Sequence, residues 1–248
     1  MNENQYTNML KDVYESHCLG GDVSACVSHY HELYKYVYIC NDVIFKKIFG
    51  NPENEKMSID FLNAAFDLYG DDCIKSLNFV GFTDMYVKKP NQKLIVINIQ
   101  HTGRDTFDDR LEFYTDNSAL HNKNYIALQM ADSCLGLSSY RHRLQLKNQD
   151  EQLWGGDHML TLINIPEFVN GDYTSDNSTL AQWLRVINGL NKENLVPVAK
   201  GSFFAQLQEK AELRSFSEDF LVHESIMMYA SETNFFMKRN CYCSRFFN

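Results

Sequence analysis

The clearest periodic signal begins at Asn41. In "NDVIFKKIFGNPENEKMSIDFLNAAFDLYG", Val43, Ile44 and Ile48, and then Met57, Phe61, Leu62 and Ala65, recur at the spacing of an apolar helix face, interrupted by Gly50 and Asn51-Pro52. The pattern predicts two short helices around a turn. Before them, "TNMLKDVYESHCL" and "VSHYHELYKYVYI" carry helical patches separated by Gly20-Gly21, so residues 1–38 read as a polar, helical preface. The later segments "LAQWLRVINGL", "FFAQLQEKAELRSF" and "SEDFLVHESIMMYASETNFFM" read as helices too, with Ser217-Glu218-Asp219 suited to cap the last.

Between these helical ends the pattern changes. "IKSLNFVGF" suggests a first strand, and Thr83–Lys88 and Lys93–Gln100 suggest a hairpin closed by the turn residues of "KPNQ". If the loop is Pro90 to Gln92, Lys89 faces Lys93, and counting outward along an antiparallel pair sets Asp84 opposite Asn98. Directly opposed side chains have Cβ atoms about 4.5–5.5 Å apart. Gln100 shares the face of Asn98, whereas Ile97 and Ile99 take the other. The "LIVI" run implies a strand buried on both sides. Beyond it, "TFDDRLEFYTDNSALHNKNYIALQMADSC" reads as one or two helices with Leu111, Tyr114, Ile126 and Met130 inward. Met159–Ile165 reads as a strand stopped by Pro166.

Composition narrows the functional classes. A chain of 248 residues can bury a sizeable core and fits one domain with elaborations. A net charge of −9 opposes broad contact with a polyanion, so any DNA-binding surface has to be local. Lys46-Lys47, Lys88-Lys89, Arg141-His142-Arg143 and Lys238-Arg239 are the candidates, although short basic clusters of this kind read first as solvated faces. The seven cysteines lack the C-x-x-C pairs of a zinc ribbon, and Cys241 and Cys243 read as thiols rather than ligands. His29 and His31, two apart, diverge on a helix. There is no apolar stretch of signal-peptide or membrane-spanning length near the start or elsewhere, so the expectation is a cytoplasmic protein with reduced thiols and no membrane contact. Neither a nucleophile elbow, nor a phosphate-binding Gly-rich loop with its lysine, nor H-E-x-x-H occurs.

The segment from Asn41 to Phe66, the strand expected around Asp84, "INIQ" fourteen residues later, and the Arg110–Tyr114 stretch together resemble the PD-(D/E)XK nuclease family transposases. The likeness spans about residues 40–170 and rests on motif spacing. It implies an opening D-x-x-F-K-x-x-F motif, matched by Asp42, Phe45, Lys46 and Phe49. It also implies an Asp on one strand and E-x-Q on the next, with Gln in place of the lysine found elsewhere in the superfamily. Asp84 and Gln100 match, but Asn98 stands where the glutamate belongs.

The fold so implied is α/β: a restriction-endonuclease-like core at 40–172 with a mixed central sheet flanked by helices. A helical extension at 1–39 and a helical region at 173–248 packed on the core complete it. The implied activity is hydrolysis of DNA phosphodiesters with Mg²⁺ or Mn²⁺, with Asp84, Asn98 and Gln100 as the catalytic set and Asp84, Asp42 and Asn98 as the cation ligands. Lys46, Lys47 and Arg110 are the implied nucleic-acid contacts, although Arg110 and Tyr114 suit equally a helix tied to the sheet. Asp42 suits either a helix cap or a place beside the cation. Asn98 keeps a carbonyl oxygen but lacks the negative charge of Glu, so the expected chemistry is weakened or lost. An inactive nuclease fold that binds DNA or a protein partner is the alternative.

Overall fold

The structure is a computed structural model that describes residues 1–77, 85–88, 94–100, 123–129, 139–144, 159–190 and 196–243. These divide into two compact units, one of Met1–Tyr38 with Ala211–Asn248 and the other of Ile39–Lys210. Helices predominate among the described residues.

In the first unit, α1 (Glu3–Cys18) starts from a reciprocal cap. The Gln5 amide donates to Asn2 Oδ1 at 3.0 Å, and the Asn2 amide donates to Gln5 Oε1 at 2.8 Å. Its inward stripe is Tyr6, Met9, Leu10 and Val13, the three- and four-residue spacing of one helix face. Asp22 caps α2 (Val23–Leu33), which buries Val27 and Tyr30. The sequence predicts helix as far as Ile39, but the chain leaves α2 at Tyr34. The Tyr36 and Glu212 backbones form a bridge, with Val37 donating to the Ala211 carbonyl at 3.0 Å and Leu213 donating to that of Lys35 at 2.8 Å. A run rich in Tyr and Val is as compatible with extended backbone as with helix, and the long-range partner decides.

The second unit opens with α3 (Asp42–Phe49), a 3₁₀ turn at Pro52–Asn54, and α4 (Glu55–Phe66), as the periodicity predicts. Ile44, Phe45, Ile48 and Phe49 face the core from α3, whereas Val43 is exposed. Phe45, Phe49, Phe61 and Trp183 form a packed aromatic cluster, with centroids 4.2 Å apart for Phe45–Phe49 and 5.7 Å for Phe61–Trp183. The strand expected over Ile74–Phe82 does not form at Ile74–Leu77. The Ile74 amide donates to Asn63 Oδ1 and the Leu77 amide to Glu55 Oε1, each at 2.8 Å, so side chains of α4 take the place of a ladder. Residues 78–84 lie outside the described residues.

The described strands are β1 (Met85–Lys88), β2 (Leu94–Gln100), β3 (Lys123–Gln129), β4 (Arg141–Leu144) and β5 (Met159–Asn164). They align in the order β1-β2-β3-β5-β4. The β1–β2 and β4–β5 pairs are antiparallel, and β2–β3 and β3–β5 are parallel. Lys88 pairs with Leu94 and Met85 with Ile97, the same count that sets Lys89 against Lys93 in the sequence.

The helix predicted through Ile126 is corrected: Lys123–Gln129 is a strand between β2 and β5. "NYIAL" is short, apolar and unpunctuated, and a run of that kind fits a buried parallel strand as well as a helix segment. The remainder of that predicted helical stretch lies outside the described residues. Asn164 ends β5 and caps α5 (Ile165–Asn170), its Oδ1 accepting from the Glu167 amide at 3.1 Å, so Pro166 begins a helix as well as closing a strand. Then follow α6 (Thr179–Leu190) and α7 (Phe203–Lys210) in the second unit, and α8 (Glu218–Cys243) in the first. Ser217 Oγ accepts from the Phe220 amide, capping α8 where its sequence predicts.

Candidate functional site

The opening motif divides by helix face. Phe45 and Phe49 are buried, whereas Asp42 and Lys46 stand four residues apart on the more exposed side. The cap of α3 is Asn41, whose Oδ1 accepts from the Val43 and Ile44 amides at 3.0 and 3.2 Å. Asp42 is thereby released from capping. It occupies the first turn, where the helix dipole favours its charge, and its Oδ2 accepts from Lys46 Nζ at 2.8 Å. Asp42 Oδ1 is enclosed and accepts no hydrogen bond among the described residues. Enclosed carboxylate oxygens are rarely left so, because each forfeits hydration without recovering a partner.

Two contacts hold α3 at its C-terminal end, and a third holds one of the donors. Asn54 Nδ2 donates to the Ile48 carbonyl at 2.8 Å, Ser58 Oγ donates to that of Phe49 at 2.7 Å, and Gln206 Nε2 donates to Asn54 Oδ1 at 3.2 Å. Asn54 and Ser58 are buried, so these bonds satisfy carbonyls that the helix end leaves open.

α3 lies against β2, the strand that carries Asn98 and Gln100. Asn98 registers with Ala127 on β3, and Gln100 with Gln129, which in turn registers with Asn164 on β5. The ends of three parallel strands therefore align Gln100, Gln129 and Asn164 in one backbone row. Position alone in one sequence does not reveal such a row, because β3 is the strand whose periodicity reads as helix. Asp84 and Arg110 lie outside the described residues, as does the Asp84–Asn98 pairing. Among the described residues, no group of three His, Cys, Asp or Glu side chains is placed to hold a metal.

The basic candidates differ in how far their charge is already matched. Lys46 is paired with Asp42. Arg141 and Arg143 on β4 both reach Asp67 Oδ2, at 3.2 and 3.3 Å, and Arg143 also donates to the Phe66 carbonyl at 2.6 Å. Asp67 ends α4 in the left-handed conformation at φ 58°. The Tyr69 hydroxyl, donating at 2.7 Å, holds the Asp67 carboxyl below the usual carboxylate range, with the two guanidiniums acting in the same direction. One carboxylate thus offsets much of the Arg141-His142-Arg143 charge.

Residues 39–235 match the model of the PD-(D/E)XK nuclease family transposases, and the chain belongs to that family. No curated protein and no solved structure gives a significant match. The matched segment takes in the whole Ile39–Lys210 unit, including α3 and β2, and excludes α1 and α2. Among the described residues, no helix is long and apolar enough to cross a membrane.

Proposed function

We propose that this chain is a nuclease-fold protein, related to the DNA endonucleases of transposition, whose metal-dependent phosphodiester hydrolysis is weakened or lost through Asn98. The core of the reading is a mixed sheet flanked by helices, with Asp84, Asn98 and Gln100 at the catalytic position. The observation that carries it is the placement of α3 against β2. The helix that carries Asp42, one carboxylate oxygen of which is enclosed and accepts no hydrogen bond among the described residues, packs on the strand whose backbone carries Asn98 and Gln100.

The donor set suits a hard cation in kind. Asp84, Asp42 and Asn98 supply only oxygen, as Mg²⁺ or Mn²⁺ requires. In charge it is poor, because Asn98 contributes none and the Lys46 ammonium stands on Asp42. When bound, the cation polarises the phosphodiester and lowers the pKa of water at the site. Gln100 orients that water by hydrogen bonding but cannot take its proton near neutrality. Lys47 and Arg110 would meet the DNA backbone.

Plasmid nicking tests the reading. With Mn²⁺ the native protein is expected to nick slowly or not at all. Asn98→Glu is expected to raise the rate at least tenfold, and Asp84→Ala in that background to abolish it. A native rate that Asp84→Ala leaves untouched, or an Asn98→Glu variant that gains neither nicking nor cation binding, would overturn it. The net charge of −9 favours a second reading in one outcome. If only Asn98→Glu binds the cation, the native fold serves as a binding module, for a protein partner ahead of DNA.

A further inference from the structure

We propose that the outer face of α8 is a docking surface for a protein segment that folds as a basic amphipathic helix, with Lys and Arg beside an apolar stripe. The two sides of α8 reverse the usual arrangement. The buried side carries Leu221, Glu224 and Ser225, so two of these three positions are polar. The side turned to solvent carries His223, Ile226, Met227 and Ala230, the i, i+3, i+4, i+7 spacing of one helix face, with Ile226 39% and Met227 54% exposed. Beside them Tyr229, 38% exposed, stacks on Tyr14 of α1 with centroids 4.0 Å apart and gives the stripe an aromatic flank. Elsewhere among the described residues, exposed large apolar side chains stand singly along the chain, whereas on α8 three fall within four positions. Single ones are ordinary, but a contiguous row marks an interaction surface.

Shape fixes the form of the occupant. A row at helical spacing is a ridge, and a second helix laid along it is the segment whose own ridges and grooves fit. Charge fixes its character. Asp219 stands four residues before His223 and so heads the same stripe, with Glu218 next to it in the first turn, and both are exposed. Over Met1–Tyr38 and 211–230, nine Asp and Glu stand against three Lys and Arg. A nucleic-acid backbone meets repulsion on such a surface, and a second copy of the chain brings the same acids, so charge favours neither as the occupant. Lys and Arg flanking an apolar row complement it. The stripe belongs to the unit of Met1–Tyr38 with Ala211–Asn248, and the strand of Asn98 and Gln100 to the other unit, so the docking surface stands whether or not the chain cuts phosphodiesters.

Fluorescence anisotropy of labelled peptides tests the surface on the full-length chain. The probes are a helical peptide of about 18 residues with Leu at i, i+3, i+4, i+7 and Lys elsewhere, the same peptide with Glu for Lys, and a Leu/Lys peptide of identical composition with its Leu positions scrambled. The first is expected to bind about tenfold more tightly than either of the others. Ile226→Gln/Met227→Gln is expected to abolish the preference over the scrambled peptide, with circular dichroism and Tm unchanged because both side chains are exposed. Asp219→Lys is expected to weaken binding of the Leu/Lys helix and strengthen that of the Leu/Glu helix. Val169→Gln, exposed in the other unit, is expected to change nothing. Ile226→Ser and Met227→Ser, made singly, repeat the test if the double variant misfolds. A Leu/Lys helix that binds the native chain no better than its scrambled form, or binds the double variant as tightly as the native chain, overturns the proposal. So does a native dimer in sedimentation that the double variant breaks, since the face then belongs to a second copy.

Discussion

Asp67 is where single-residue electrostatics can be read most directly. Its carboxylate accepts from the Tyr69 hydroxyl and faces Arg141 and Arg143, and its backbone sits in the left-handed region that Asp and Asn tolerate better than most residues. Asp67→Asn therefore removes the charge while leaving the backbone preference nearly intact. All the partners are partly exposed, so solvent screens the pairs and the expected loss at pH 7 is modest, about 1 kcal/mol. Because the folded-state carboxyl titrates below its unfolded value, the stabilisation is complete above the ordinary Asp value of about 3.9 and is lost as pH falls through the lower, folded-state value. Urea unfolding of both proteins at pH 7 and near pH 2.5 checks this. The gap between them should close in acid, and a gap that persists there would mean that charge is not what Asp67 contributes.

α3 shows what one element makes of eight residues. Asn41 caps it, Phe45 and Phe49 anchor it, and Asp42 and Lys46 remain on the face left over. Phe49 is fully buried, stacks on Phe45 with centroids 4.2 Å apart and meets Phe61 at a tilt with centroids 5.0 Å apart. Phe49→Ala is accordingly expected to cost about 3–5 kcal/mol, whereas Val43→Ala, on an exposed turn of the same helix, is expected to stay within about 0.5 kcal/mol. Chemical denaturation distinguishes the two, and equal losses would contradict the division of the motif into core and site faces. The extent of this helix is legible from its periodicity because amphipathic spacing is a local signal, whereas its cap is not: the sequence offers Asp42 for that place and the structure uses Asn41. The register of Met85–Lys88 against Leu94–Ile97 is legible as well, and follows from the count that sets Lys89 against Lys93 in the sequence.

Elements whose partners lie far along the chain were not legible in the same way. β3 is hidden because a strand between two parallel neighbours loses the alternation that marks a half-buried one. Arg141–Leu144 was read only as a basic cluster, although its backbone pairs with Leu160–Ile163 and its arginines with Asp67. At the site the limit is similar. Sequence spacing nominated Asp42, but it could not separate a cap from a ligand. The structure gives the cap to Asn41, whose side chain takes the Val43 and Ile44 amides.

At the scale of the molecule, the two ends of the chain build one unit together. α1 and α2 pack on α8, Tyr14 stacks on Tyr229 with centroids 4.0 Å apart, and the Tyr36–Glu212 bridge joins the segments that lead into them. The family match reaches residue 235, so it includes much of α8 but neither helix that covers it. A chain lacking Met1–Tyr38 therefore keeps the whole family segment and loses the partners of the buried face of α8, where Leu221 and Ser225 are solvent-free. A lone helix of that kind has no packing to hold it and is at best marginal in water. In limited proteolysis, the truncated protein is expected to be cut within 211–243 at least tenfold faster than the full chain. The Ile39–Lys210 unit, which has its own core around Phe61 and Trp183, is expected to survive as the resistant fragment. Equal resistance of 211–243 in both proteins would mean that α8 is held by contacts other than those with α1 and α2.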